Sequence, residues 1–249
     1  ASGGFTWQLD QIAAAPIADN VVDILVQRFS QLAPKTRQLL QLSACLGRDF
    51  TVDLLQQTSS PTGAASPADF ELAAALREAV AEGFLIPVAG AYRFVHDRLQ
   101  QAAYSTLKDK ERRVLHLQIS RALLGPAQSA AAPDAAQSGE AAPPAQTEDS
   151  GPQADDRRLF ALTNHLNEAH ELLDARERLL LCRLNLRAAE RARGAAAFVA
   201  AHENFRLGVE RLPASAWQKY PKLAMELFLG QAECAYLTGH FDEAKQVLS

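Results

Sequence analysis

The residues that could do chemistry in this chain are few, and most stand alone. His96 and Asp97 are adjacent, inside "YRFVHDRLQQAAY", where an apolar strand-like run, Tyr92 to Val95, gives way to an amphipathic helical pattern. An imidazole and a carboxylate at a strand-to-helix junction lie beside free backbone N–H groups and a partial positive charge, which suits a contact to an anion. A plainer role is equally open: Asp97 favours the positive end of a helix, and His96 is a satisfied polar residue at a strand end. His165 and His170 are five apart, so a helix sends them to different faces. His116 and His202 have no partner at ligand spacing and read as surface or core-edge histidines. Cys45, Cys182 and Cys234 lie far apart in apolar helical patterns, as buried free thiols of a reducing compartment do, and no metal-ligand spacing occurs.

Phosphate-loop, dinucleotide, zinc-protease and serine-hydrolase motifs are all missing from the sequence, so no catalytic residues are expected in this segment. The chain has 249 residues, 48% of them apolar, with a net charge of −4. That is enough for one or two ordinary cores, with no electrostatic pull toward nucleic acid or anionic lipid. No apolar run approaches the ~20 residues that span a bilayer, and no signal peptide is visible. Both ends look cut: there is no initiating Met, and "FDEAKQVLS" stops inside a helical pattern. The expectation is a piece of a longer polypeptide.

The elements that would position His96 and Asp97 follow from periodicity. "DNVVDILVQRFSQL" places Val21, Leu25, Phe29 and Leu32 on one stripe, with Asp19 or Asn20 as a cap. Pro34 opens a second helix that Gly47 closes, apolar nearly all round and therefore central. Thr51 caps a short third helix, and a Ser/Pro/Gly loop, Ser59 to Pro67, leads into a fourth from about Asp69 to Gly83. "LIPV" and "YRFV" then read as two short strands around a tight turn, Ala89 to Ala91. Helical segments continue to about Gly125. This is the order of a winged helix with a helical extension.

Residues 126–157 hold no Leu, Ile, Val or aromatic residue and are dominated by Ala, Pro, Gln and Ser. Such a stretch buries too little apolar surface to offset its ordering entropy and reads as a disordered linker. Beyond it the pattern is all helix. Phe198, Ala201, Phe205, Gly208 and Pro213 fall at tetratricopeptide spacing, as do Ala232, Ala235, Gly239, Phe241, Ala244 and Leu248. The two units are further apart than the usual ~34 residues, with the excess in "LPASAWQKYPKL". The predicted fold is mainly α: a winged-helix domain with a short β-hairpin, then tetratricopeptide-like helical hairpins. The predicted divisions are a lead-in at 1–19, the winged helix with its extension at 20–125, the linker at 126–157 and truncated repeats at 158–249.

A winged helix invites the question of DNA. The helix before the wing normally enters a groove, but here Glu71, Glu78 and Glu82 recur along its expected solvent face, and Arg93 is the basic residue of the wing. Phosphate contacts come from Lys and Arg, so no direct DNA binding is expected.

"ADNVVDILVQRFSQL", "LLQLSACLGRDF", "YRFVHDRLQQAAYSTL" and "RRVLHLQISRALL" resemble the segment after the ATPase core in signal-transduction ATPases with numerous domains, the STAND class. "LFALTNHLNEAHELL", "LNLRAAERARGAAAF" and "AECAYLTGHFDEA" extend the resemblance over nearly the whole chain except the linker. The combination looks most like very large bacterial signalling proteins. In those, a serine/threonine kinase domain, a predicted ATPase, tetratricopeptide-like helices, a GAF domain and a sensor histidine kinase follow one another. In the related NLR immune receptors a Met-His-Asp motif stands at this place, its histidine on the ADP β-phosphate. Val95-His96-Asp97 matches it with Val for Met.

The resemblance implies a nucleotide-sensor role for His96 and Asp97 toward an upstream nucleotide-binding domain. ATP or ADP with magnesium would be held in that domain, and the segment itself would need no cofactor. It also implies a cytoplasmic parent, plausibly an ATPase and kinase, with a protein or an intramolecular domain on the helical repeats and no membrane contact. Two alternatives stay open: a segment of a STAND-type transcription regulator, or a free-standing protein-interaction adaptor.

Overall fold

A computed structural model describes residues 17–59, 67–125 and 152–247. Residues 1–16 of the expected lead-in (1–19), 60–66 of the expected loop (Ser59 to Pro67) and 126–151 of the expected linker (126–157) lie outside the described residues. The chain is mainly α, with twelve α-helices and one three-stranded sheet among the described residues. It divides into two compact units, residues 1–109 and 110–249.

In the first unit α1 (Ile17–Gln31) precedes α2 (Pro34–Leu46). Asp19 and Asn20 fall inside α1 rather than at its start. Helix α2 has Pro34 in its first turn and ends on Gly47, whose φ of 123° suits a residue without Cβ. It is the central helix expected: Leu39, Leu40, Leu42, Ala44 and Cys45 are all buried. Next come β1 (Asp49–Thr51), α3 (Val52–Ser59) and α4 (Pro67–Ala81). The Thr51 hydroxyl accepts from the Leu54 N–H at 3.3 Å, the cap expected for α3.

The hairpin is β2 (Leu85–Val88) and β3 (Ala91–Phe94). Ala89 and Gly90 both have positive φ, 41° and 83°, as a two-residue type I′ turn requires. Strand β1, absent from the sequence reading, pairs antiparallel with β3, so the sheet order is β1-β3-β2. With β1 and β3 paired across two intervening helices, the unit is a winged helix. Its core holds Leu40, Leu55, Phe84, Leu85 and Phe94, each 1% exposed or less.

The second unit begins with α6 (Asp109–Leu124), which follows α5 (Asp97–Ser105). This moves the boundary read at 125. Leu124 packs with Leu162, Leu166, Leu181 and Leu184, so α6 shares a core with later helices. Helix α7 (Pro152–Glu168) starts inside the segment read as linker, because Leu159, Phe160 and Leu162 give its later turns an apolar face that carries the polar first turn. A 3-10 turn (His170–Leu172) leads to α8 (Ala175–Gly194), opened by a capping box. There Asp174 accepts from the Glu177 N–H at 2.7 Å, and Glu177 accepts from the Asp174 N–H at 3.1 Å.

Helices α9 (Phe198–Glu210), α10 (Ala216–Lys219), α11 (Pro221–Leu237) and α12 (Phe241–Val247) complete it. Packing runs α7 on α8, α8 on α9, α9 on α11 and α11 on α12. The excess length between the two helical signatures is the short helix α10, whose Trp217 lies 5.4 Å from the Phe228 ring. Small residues set the approach of α9 and α11. A Cβ on Gly230 would stand 2.3 Å from the Phe205 ring, and one on Gly208 would stand 2.5 Å from Leu227.

Candidate functional site at the strand to helix junction

Three backbones fix the place where β3 becomes α5. The Phe94 N–H donates to the Arg48 carbonyl at 3.1 Å, and the Val95 N–H donates to the Phe84 carbonyl at 3.1 Å. Phe94 is fully buried. His96 is then the N-cap of α5, in extended conformation (φ −139°, ψ 146°). Its carbonyl accepts from the Leu99 N–H at 3.0 Å, but its ring makes no capping hydrogen bond. The His96 side chain is exposed. Leu99, Ala102 and Ala103 bury the other face of α5, and Gln100 donates to the Ala44 carbonyl of α2 at 3.1 Å. The imidazole therefore stands on a rigid mount facing water.

Asp97 occupies the first turn of α5 and pairs with Arg48 at 3.4 Å. Both side chains are more than half exposed, so the pair is worth little energetically, roughly 0–1 kcal/mol. It does place a guanidinium beside the His-Asp pair, which the sequence did not suggest. The wing arginine, Arg93, is engaged bidentately with Asp49, its register partner on β1, at 2.5 and 3.1 Å. The Arg93 hydrogen bonds hold the Asp49 carboxyl below its ordinary pKa.

Glu78 does not join a free acidic face on α4. It is partly buried and accepts from the Ala33 N–H and the Thr36 hydroxyl at the start of α2. Glu71 is exposed and pairs with Lys35 at 3.2 Å. The face read as phosphate-repelling thus spends Glu78 on a neighbouring helix.

Two histidine contacts correct the expectation of isolated residues. His116 of α6 and His165 of α7 meet Nδ1 to Nδ1 at 2.8 Å, only 6% and 8% exposed. They are 49 positions apart, beyond any local spacing rule. His202 of α9 contacts Glu243 of α12 at 3.0 Å and stacks on His240 at 5.8 Å. Gln231 of α11 also donates to that carboxylate, at 3.1 Å. Cys45, Cys182 and Cys234 are buried free thiols, as expected. Among the described residues no group of three or more His, Cys, Asp or Glu could hold a metal ion. Nor is any described helix long and apolar enough to cross a membrane.

No family model matches the chain, and no solved structure matches it. It is similar to hybrid signal transduction histidine kinase G of Dictyostelium discoideum, at 23% identity over 97% of this chain. The chain spans about 8% of that relative's length. The likeness links the chain, loosely, to signal transduction.

Proposed function

We propose that this chain is a non-catalytic regulatory segment of a multidomain, ATP-dependent signal-transduction protein of the STAND type. The observation that carries the reading is the similarity to a histidine kinase that runs through 97% of the chain yet takes up 8% of the relative. A segment of that proportion suits a coupling role inside a large signalling protein. The winged-helix unit would rest on an upstream nucleotide-binding domain in a cytoplasmic parent. The helical hairpins, tetratricopeptide-like in their spacing of small and aromatic residues, would receive a protein or another domain of the parent.

In this reading His96 contacts the phosphates of an ADP held by the upstream domain. Its exposed ring, free of a capping bond on a rigid junction, supports that role. Asp97 keeps the first turn of α5 oriented through Arg48. The test is ADP retention by the chain joined to its preceding ATPase domain, wild type against His96→Ala. Loss of bound ADP with faster ATP turnover is expected. Unchanged retention in a folded variant would remove His96 from the mechanism.

A further inference from the structure

The turn between α8 and α9 and the turn between α11 and α12 are built alike. At one constant shift along the chain Arg193 falls on Tyr236, Ala196 on Gly239 and Ala201 on Ala244. Ala196 and Gly239 both have positive φ, 57° and 86°. The Ala197 N–H donates to the Ala192 carbonyl at 2.9 Å, and at the same shift the His240 N–H donates to the Ala235 carbonyl at 2.8 Å. The Ala201 N–H donates to the Ala197 carbonyl at 2.9 Å, and the Ala244 N–H to the His240 carbonyl at 3.0 Å. The two helix pairs share one turn geometry and can be compared position by position.

Their surroundings differ. Cys182 and Leu186 of α8 are buried in one core with Leu227 and Cys234 of α11. Their equivalents at the same shift, Met225 and Leu229 of α11, are each 53% exposed. Phe198, which opens α9, is half-buried, whereas its equivalent Phe241, which opens α12, is exposed. Met225, Leu229 and Tyr236 recur at helical spacing, so the solvent side of α11 carries an apolar stripe. The Tyr236 ring stands edge-on to Phe241 at 5.3 Å and carries the stripe across the turn. The charges beside it are paired: Glu233 holds Arg193 at 2.6 Å, and Glu226 lies 3.9 Å from Lys222. An apolar stripe rimmed by paired charges marks a contact surface and asks for an apolar occupant.

We propose, resting on the reading of this chain as a segment of a longer protein, that the stripe is a helix-docking face, covered in the parent by its next helical pair as α11 covers the equivalent face of α8 and α9.

The contact already made by α11 gives the chemistry of the occupant. α11 comes close to α9 because Gly230 leaves room for the Phe205 ring, and Gly208 of α9 leaves room for Leu227 in return. The covering helix should therefore be amphipathic, with an apolar face that meets Met225, Leu229 and Phe241 and a Gly or Ala where it crosses α12.

The experiment is maleimide labelling of Leu229→Cys in this chain and in the full-length parent, read by peptide mass spectrometry at the introduced residue. Met225→Cys is a second variant, and Lys222→Cys, at a side chain that is 84% exposed, is the reference. In this chain Leu229→Cys and Met225→Cys should react at rates close to that of Lys222→Cys. In the parent both should slow by about 100-fold while the reference keeps its rate. Deleting the following helical pair from the parent should restore the fast rates. Equal rates in chain and parent overturn the proposal. Protection that survives the deletion assigns the face to another domain and overturns it too, as does protection that disappears on dilution, which assigns the face to a second copy. A native protein no longer than this chain, read from its mass, would overturn the segment reading and the proposal together. Fast labelling of Leu229→Cys in a longer parent that retains ADP removes the docking face alone.

Discussion

Glu78 caps a helix it does not belong to: from α4 it reaches the start of α2, accepting from the Thr36 hydroxyl at 2.5 Å and from the Ala33 N–H at 3.1 Å. Helix α2 has Ala33 at its N-cap, with no side chain to satisfy its first amides. Glu78 accepts from the Ala33 N–H and the Thr36 hydroxyl and sets a negative charge at the positive end of the helix dipole. Glu78→Ala should destabilise the chain by about 1–2 kcal/mol, read as a lower denaturant midpoint with an unchanged slope. The Thr36 hydroxyl first, then the Ala33 N–H, lower the Glu78 pKa below 4.5. Its contribution is therefore full above 4.5 and fades as pH falls through the folded value. The midpoint difference between wild type and Glu78→Ala should shrink in acid.

Gly230 and Phe205 give a second prediction. Gly230→Ala brings a Cβ within 2.3 Å of a ring that is 1% exposed and cannot swing aside. Overpacking of this kind costs about 1–3 kcal/mol, more than the ~1 kcal/mol gained in helix propensity. Thermal unfolding should show a clear fall in Tm. Gly208→Ala meets Leu227, itself fully buried, at 2.5 Å and the Asn185 Cβ at 3.3 Å, so it should also lower Tm.

The wing turn offers a gain. Ala89 holds a φ of 41°, a conformation that costs an L-residue about 1–2 kcal/mol and that Asn tolerates better. It is exposed, so its side chain is not needed for packing. Ala89→Asn should raise stability by about 0.5–1 kcal/mol, seen as a higher denaturant midpoint. A loss would mean that the turn is not the I′ type its dihedrals describe.

His96→Ala should leave stability within about 0.5 kcal/mol of wild type, because the ring is exposed and caps nothing. Asp97→Asn removes one exposed ion pair and should also cost less than about 1 kcal/mol. Circular dichroism melts check both. A large loss in either would mean the junction is structural, and would confound any reading of nucleotide retention.

Much of the first unit was legible because its signals are local. Pro34 and Gly47 bracket α2 as read, the strand at 85–88 is the one expected from "LIPV", and the strand at 91–94 begins one residue before "YRFV" (92–95), taking in Ala91 from the expected turn. Strand β1 was not legible. Three residues with one buried position, Phe50, carry no period, and β3 alone defines the strand by pairing with it. Glu78 looked like solvent decoration because its partners are 42 and 45 positions away. His116 and His165 looked solitary for the same reason. Their apolar stripes were visible, but nothing local says that two stripes on different helices put imidazoles face to face. The position of His96 at a strand-to-helix junction was legible, whereas its lack of a capping bond is a matter of ring orientation.

The burial of all three cysteines has a practical consequence for spectroscopy. Cys182 and Cys234 are fully enclosed, Cys45 is 7% exposed, and burial pushes the Cys182 thiol up to about 11, far from the thiolate that reacts with maleimides. The folded chain is close to silent toward alkylating probes without any native cysteine being replaced. A single Cys introduced at position 96 would then carry a spin label or fluorophore on the rigid mount of β3 and α5, and would report changes at that junction directly.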